Sequence, residues 1–298
     1  MKTALLATLA VIGGAYILYW WRLELAARVA DGRGAALPTI GNLLVGFGTD
    51  FLDTLGIGSF ATTTSAFKFS GQVSDEAIPG TMNVGHAIPT IAEAVLYISI
   101  VNVHVWTLIA MITASVAGAW FGAGYVSRWR KRTIQIGMGC ALIAAGLLMV
   151  VAQAGWLPAG GTALGLSRTG LLIGVMGNLT FGALMTLGIG LYAPCMILVS
   201  LLGMDPTAAF PIMTGSCAFL MPIGSLRFIH RRRYDARAAV GLSLGGIPGV
   251  LVAAFIVKSL PLSVVRWLVI GVVIYTAAAM LAASQQEQGK SAGVAVAS

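Results

Sequence analysis

Four ionisable residues stand inside apolar stretches of this chain: Asp50, Asp53, His86 and Glu93. Burying such a group in a bilayer is costly, so each is a functional candidate by default. Asp50 and Asp53 are three positions apart and share a face if helical. His86 falls one helical face from Asn83 and Glu93. Groups of this kind can carry a coupling proton or sodium ion. They also have structural roles open to them. The aspartates can pair with Lys68 or cap a following helix, and His86 can be a satisfied core histidine.

A second constellation surrounds a repeated string. Thr54-Leu55-Gly56-Ile57-Gly58 is followed by Ser59, Thr62, Thr63 and Thr64. The same five residue types return as Thr186-Leu187-Gly188-Ile189-Gly190, followed by Tyr192 and Cys195. Glycine lets the backbone approach a ligand. A helix starting just after it offers unpaired N–H groups and the positive end of its dipole, which attract anions. Hydroxyls add donors. Downstream, Pro79 and Pro211 each suit the first turn of a helix, which puts Thr81, Asn83, Thr214 and Ser216 about one turn in. These residues, with Thr54, Gly56, Gly58, Thr186, Gly188 and Gly190, form the candidate binding set for a small anion. The competing role for small and hydroxylated residues is close helix packing.

The elements that must position them are membrane helices. Of 298 residues, 58% are apolar and 9% are charged, against about 25% charged in a soluble domain. Three scattered cysteines, Cys140, Cys195 and Cys217, exclude a disulfide scaffold, and no CxxC or His/Cys cluster suggests a metal or cofactor. Net charge is +8, but bases gathered on the cytoplasmic side account for that without nucleic acid. Apolar runs of roughly 20 residues predict full spans at 4–21, 79–102, 105–126, 134–152, 208–229, 238–257 and 264–283. The first ends in Tyr19-Trp20-Trp21 and Arg22, as an uncleaved anchor does. Segments 38–67 and 169–202 are too glycine-rich for one helix and too short for two full spans. Each reads as two half-helices in a re-entrant hairpin, tolerated only where the broken backbone is buried or lines a wet cavity.

The repeated string is one of several collinear matches. At its offset Pro79 meets Pro211, and near it 94–98 resembles 225–229 and 41–43 resembles 177–179. Two halves thus share a plan of broken hairpin and three spans. Their basic loops differ in position. Arg128, Arg130, Lys131 and Arg132 follow the second full span of the first half, whereas Arg231, Arg232, Arg233 and Arg237 follow the first full span of the second. Equivalent loops then face opposite sides. The expected fold is an all-α polytopic membrane protein with two inverted repeats, each a re-entrant hairpin plus three spans, and one extra N-terminal span. Its units are 1–34 (anchor and cytoplasmic linker), 35–153 (repeat 1), 154–166 (extracytoplasmic linker), 167–284 (repeat 2) and 285–298 (polar tail). The N-terminus is expected outside, with 22–37, 68–78, 128–133, 230–237 and the tail inside. Inverted repeats with broken helices mark secondary transporters, with substrate bound where the breaks meet.

Two other classes are weighed against this. Gly46-Phe47-Gly48-Thr49-Asp50 comes near the GxGD pattern of intramembrane aspartyl proteases, but Thr49 spoils the spacing and no neighbouring span supplies a second aspartate. An enzyme is therefore not expected. An anion channel or uniporter differs from a carrier in leaving ion gradients uncoupled from flux.

The strings at 41–69 (GNLLVGFGTDFLDTLGIGSFATTTSAFKF), 78–94 (IPGTMNVGHAIPTIAEA) and 177–222 resemble the sulfite exporter TauE/SafE family of membrane permeases, a likeness covering 38–284. The resemblance implies duplicated halves and a small sulfur-containing anion, such as sulfite or an organosulfonate like sulfoacetate, as substrate. The expected setting is the cell inner membrane. The expected partners are that anion, the bilayer and a coupling proton or sodium ion, with a homodimer as an open alternative. Neither cofactor nor metal is expected.

Overall fold

Glycines and prolines divide the chain into helices whose ends can be traced to single residues. A computed structural model describes residues 2–31, 37–156, 161–186, 188, 190–256 and isolated helical positions from 267 to 285. The described residues form eleven α-helices, a short 3-10 turn at Pro206–Ala208 and one isolated bridge, Ala163 with Met204. The helices are α1 (Lys2–Asp31), α2 (Ile40–Thr54), α3 (Ser59–Ser70), α4 (Ile78–Gly85), α5 (Ala87–Ile100) and α6 (Val105–Val126). They continue with α7 (Lys131–Gln153), α8 (Arg168–Met185), α9 (Tyr192–Leu201), α10 (Ala209–His230) and α11 (Ala236–Ile256). Four stretches, Lys2–Ala26, Val105–Val126, Ala209–His230 and Ala236–Ala254, are long and apolar enough to cross a membrane. The chain is an all-α membrane protein.

Most expected spans match a helix, and two expectations are corrected. Residues 22–31 are not a loop: α1 runs on to Asp31, and Tyr234 donates a hydrogen bond to Glu24 along this extension. The expected span 79–102 is two helices, α4 and α5, joined at His86. The cause is Pro89, which has no N–H for the Gly85 carbonyl one turn back. Ser243 of α11 fills the gap by donating to that carbonyl at 2.7 Å. The expected span 264–283 and the polar tail lie outside the described residues, apart from the isolated positions.

The broken segments start and stop through local chemistry. Thr39 caps α2 in a reciprocal capping box with Asn42. At its far end Gly56 and Gly58 take φ of 77° and 96°, a backbone state that side chains resist, and α3 restarts at Ser59. Ser167 caps α8 by accepting from Gly170 N. That helix stops near Gly188, whose φ is 99°. Leu187 and Ile189 lie outside the described residues.

Two close seams hold the bundle together. Added Cβ atoms at Gly118 and Gly122 of α6 would overlap the carbonyls of Leu179 and Ala183 on α8. Added Cβ atoms at Gly245 and Gly249 of α11 would overlap the carbonyls of Leu43 and Phe47 on α2. Helix α10 packs on α6, α5 and α4 and is buried over most of its length. Helix α1 packs on α5 and α10, with Tyr16 donating to the Val84 carbonyl at 3.1 Å.

The bundle has two polar ends. At one, Lys68 pairs with Asp75 at 2.8 Å, Gln135 donates to Asp75, and Arg233 pairs with Glu76 at 3.2 Å. Tyr234 joins this end to α1 through Trp20. At the other, Lys2 donates to the Val101 carbonyl, and His104 N donates to the Leu164 carbonyl. There Asp205 accepts from the hydroxyl and the amide of Thr207, which hold its carboxyl below the usual range.

The seams predict opposite responses from glycines on one helix. Gly118→Val, or Gly245→Val on the other seam, should cost about 1–3 kcal/mol or more through overpacking. Gly124→Ala, in α6 with no neighbouring side chain within reach, should be neutral or stabilising by about 0.5 kcal/mol. Thermal unfolding in detergent measures both; equal melting of all three proteins would refute the seam.

Candidate functional site

The two breaks in the helices meet at one buried cavity. Asp53, Gly58, Ser59 and Phe60 line it from the α2–α3 break. Met185, Gly190, Leu191 and Tyr192 line it from the α8–α9 break. Thr90 of α5 and Cys217 and Met221 of α10 complete the wall. The space between these atoms is small, with room for about one water.

Three buried acids surround the cavity, each with a different partner. The Asp53 carboxylate accepts from the Ser59 backbone N–H at 2.7 Å. It therefore occupies the N-terminus of α3, where an anion is electrostatically favoured. The Asp50 carboxylate faces His86 Nδ1 at 2.8 Å and 3.0 Å. His86 Nε2 lies 2.8 Å from Thr63 Oγ1, so both ring nitrogens are engaged. The Glu93 Oε2 accepts from the Tyr192 hydroxyl at 2.5 Å, a link between α5 and the start of α9. Its Oε1 is buried without a partner. Among the described residues no lysine or arginine lines the cavity. Lys68, an alternative partner for the aspartates on sequence grounds, binds Asp75 instead.

The hydroxyls are placed less favourably for a ligand than their number suggests. Thr54, Thr62, Thr64, Thr81, Thr186 and Thr214 donate to carbonyls of their own helix or of the residues leading into it. This is the usual outlet for a helical threonine. Thr81 also accepts from Asp235 N at 2.9 Å, which places it at the basic end. Asn83 donates to the Pro79 carbonyl. Ser216 accepts from Asn178, which also reaches the Met111 carbonyl. Cys195 is buried and does not line the cavity. Gly56 lies against Phe210, and Gly188 lies against Met138 and Met82. Of the sequence-derived candidates, Asp53, Gly58, Ser59, Gly190 and Tyr192 reach the cavity wall. Asp50, His86, Thr63 and Glu93 form the layer behind it.

Sequence reasoning missed Thr90 and Gly246. Thr90 is 1% exposed, lines the cavity, and its Oγ1 has no partner. An added Cβ at Gly246 would strike the Asp50 carboxylate and Pro89, so α11 closes over the Asp50–His86 pair at this point. The glycine cluster 241–249 was the available signal for it. No group of three or more metal-ligating side chains occurs among the described residues. A buried carboxylate can bind a proton, and a helix start can attract an anion.

The Asp50–His86 pair should behave as a unit. Breaking it by Asp50→Asn or His86→Phe leaves one buried polar partner behind, at a cost of about 3–5 kcal/mol. The double variant should cost less than the sum of the two. A double-mutant cycle on unfolding in detergent tests this, and additive losses would show no coupling. Comparison of the chain with protein-family models, with curated proteins and with solved structures finds no match.

Proposed function

We propose that the chain is a secondary transporter that moves a small sulfur-containing anion across the cell inner membrane by alternating access. The observation that carries this reading is the meeting of both helix breaks at one buried cavity. A spanning protein has no structural need to place two breaks together. A carrier does, because substrate must be held by backbone that opens to either side.

The inverted-repeat arrangement belongs to the same proposal. The two glycine seams support it. Leu43 and Phe47 stand to Leu179 and Ala183 as corresponding positions of the halves, at one common offset. Gly118 and Gly122 stand to Gly245 and Gly249 at another. Each half thus sets its broken helix against the third element of the other half. The basic segments also gather at one end of the bundle, the end we assign to the cytoplasm. In this reading α2–α3 and α8–α9 are re-entrant hairpins.

The choice of sulfite or a sulfonate such as sulfoacetate rests on the resemblance of 41–69, 78–94 and 177–222 to the TauE/SafE family. The three buried acids favour a coupled carrier over an anion channel. Fixed negative charge beside a passive anion path would only oppose flux, whereas a titratable or cation-binding carboxylate ties flux to a gradient.

Two measurements test the proposal. In a thermal-shift screen of sulfite, sulfate, thiosulfate, sulfoacetate, taurine and simple carboxylates, sulfite or sulfoacetate should stabilise most. The gain should approach about 2.7 kcal/mol at one hundred times Kd. No shift with any sulfur anion would sink the substrate assignment. In proteoliposomes, uptake should respond to an imposed pH or sodium gradient; indifference to both would favour a channel or uniporter.

A further inference from the structure

The Asp53 carboxylate sits where a substrate anion is expected to bind. Helix α3 is twelve residues long, and its start is the anion-attracting point of the first break. The protein's own anion already holds it, through the 2.7 Å contact with Ser59 N. The second observation is Thr90. Alone among the threonines near the cavity its hydroxyl has no hydrogen-bond partner, although it is buried and lines the same space. An oxyanion with several acceptor oxygens would satisfy the Ser59 N–H and the Thr90 hydroxyl together. An ionised Asp53 and an oxyanion cannot share this point, because two desolvated negative charges in contact repel strongly.

We propose that Asp53 is a built-in competitor for the substrate, and that its protonation frees the start of α3 for the incoming oxyanion. This rests on the transport reading above and specifies the coupling ion as a proton. The proton arrives from the water of the open vestibule and is held on an Asp53 carboxyl oxygen. The Ser59 N–H passes from Asp53 to the anion. On release to the other side the proton leaves, and the carboxylate resumes its place. One proton then accompanies each anion, and an empty site closes on itself.

The groups around Asp53 fit this division of labour. Asp50 on its own helix is paired with His86 at the α4–α5 joint. Glu93 of α5 is bound by Tyr192 of α9, and Tyr97 of α5 donates to the Thr54 carbonyl at 2.6 Å. Cys217 faces the cavity from α10, and α11 presents Gly246 to the pair. Asp53 is the acid whose partner is a backbone amide that a substrate can also use.

The test uses purified full-length protein, with sulfoacetate as probe because its sulfonate does not titrate near neutral pH. Wild-type protein in weakly buffered solution should take up one proton per anion bound. Its apparent affinity should fall about tenfold per pH unit once Asp53 ionises in the empty site. Asp53→Asn retains an acceptor for Ser59 N–H and mimics the neutral acid. It should bind sulfoacetate with no pH dependence and no proton uptake. In proteoliposomes it should exchange anion for anion but not accumulate it against a proton gradient. Binding by wild type without proton uptake overturns the competitor role and leaves the transport reading standing. So does an unchanged pH dependence in Asp53→Asn. Failure of wild type to bind any anion of the thermal-shift panel removes the transport reading, and the competitor role with it.

Discussion

A helix broken inside a bilayer frees backbone groups that no water can satisfy, and the arrangement of this protein follows from how those groups are answered. At the first break Asp53 closes the start of α3, and Tyr97 takes the Thr54 carbonyl at the end of α2. At the α4–α5 joint Ser243 takes the carbonyl that Pro89 cannot serve. The first of these answers is local, but the other two come from distant elements, α5 and α11, so the breaks are held by the assembled bundle as well as by local sequence. The cavity lies where these breaks meet α5, α9 and α10.

The two breaks differ in their chemistry. The acids and the imidazole all come from the first half, while the second contributes Tyr192, Gly190, Met185 and Cys217. Counted from the repeated string, the position matching Asp53 is Met185, which lines the same cavity without charge. One break is therefore electrically loaded and the other is apolar and small. Such a division lets one break bear charge and the other shape the wall.

Much of this was legible in the sequence. Apolar runs give α6, α10 and α11 nearly to the residue, and the glycines of the repeated string mark both breaks. The isolated acids single out Asp50, Asp53 and Glu93 because charge is so rare in this chain. What was not legible depends on distance across the bundle. Nothing local pairs Asp50 with His86, since α2 and the α4–α5 joint meet only after the hairpin closes. Asp53 reaches Ser59 because of the angles taken at Gly56 and Gly58, which a residue string does not encode. The threonine run looked like a ligand cradle, yet most of its hydroxyls serve their own helix. The cavity hydroxyl without a partner, that of Thr90, lies outside the run, in α5. The extension of α1 to Asp31 was hidden because bases and acids after Trp21 suggest a loop, although they suit a helix that leaves the apolar layer.

The glycine seams also set an order of assembly. Helix α2 packs backbone to backbone on α11, which is made long after it, whereas α6 meets α8 sooner. During synthesis α2 enters the membrane with Asp50 and Asp53 but without the helix that covers them. Contacts so far apart in sequence form slowly, because a long loop must close first. The nascent first half therefore waits, acids unsheltered, until the last described helix arrives. The seam between α2 and α11 thus ties the first described part of the bundle to the last.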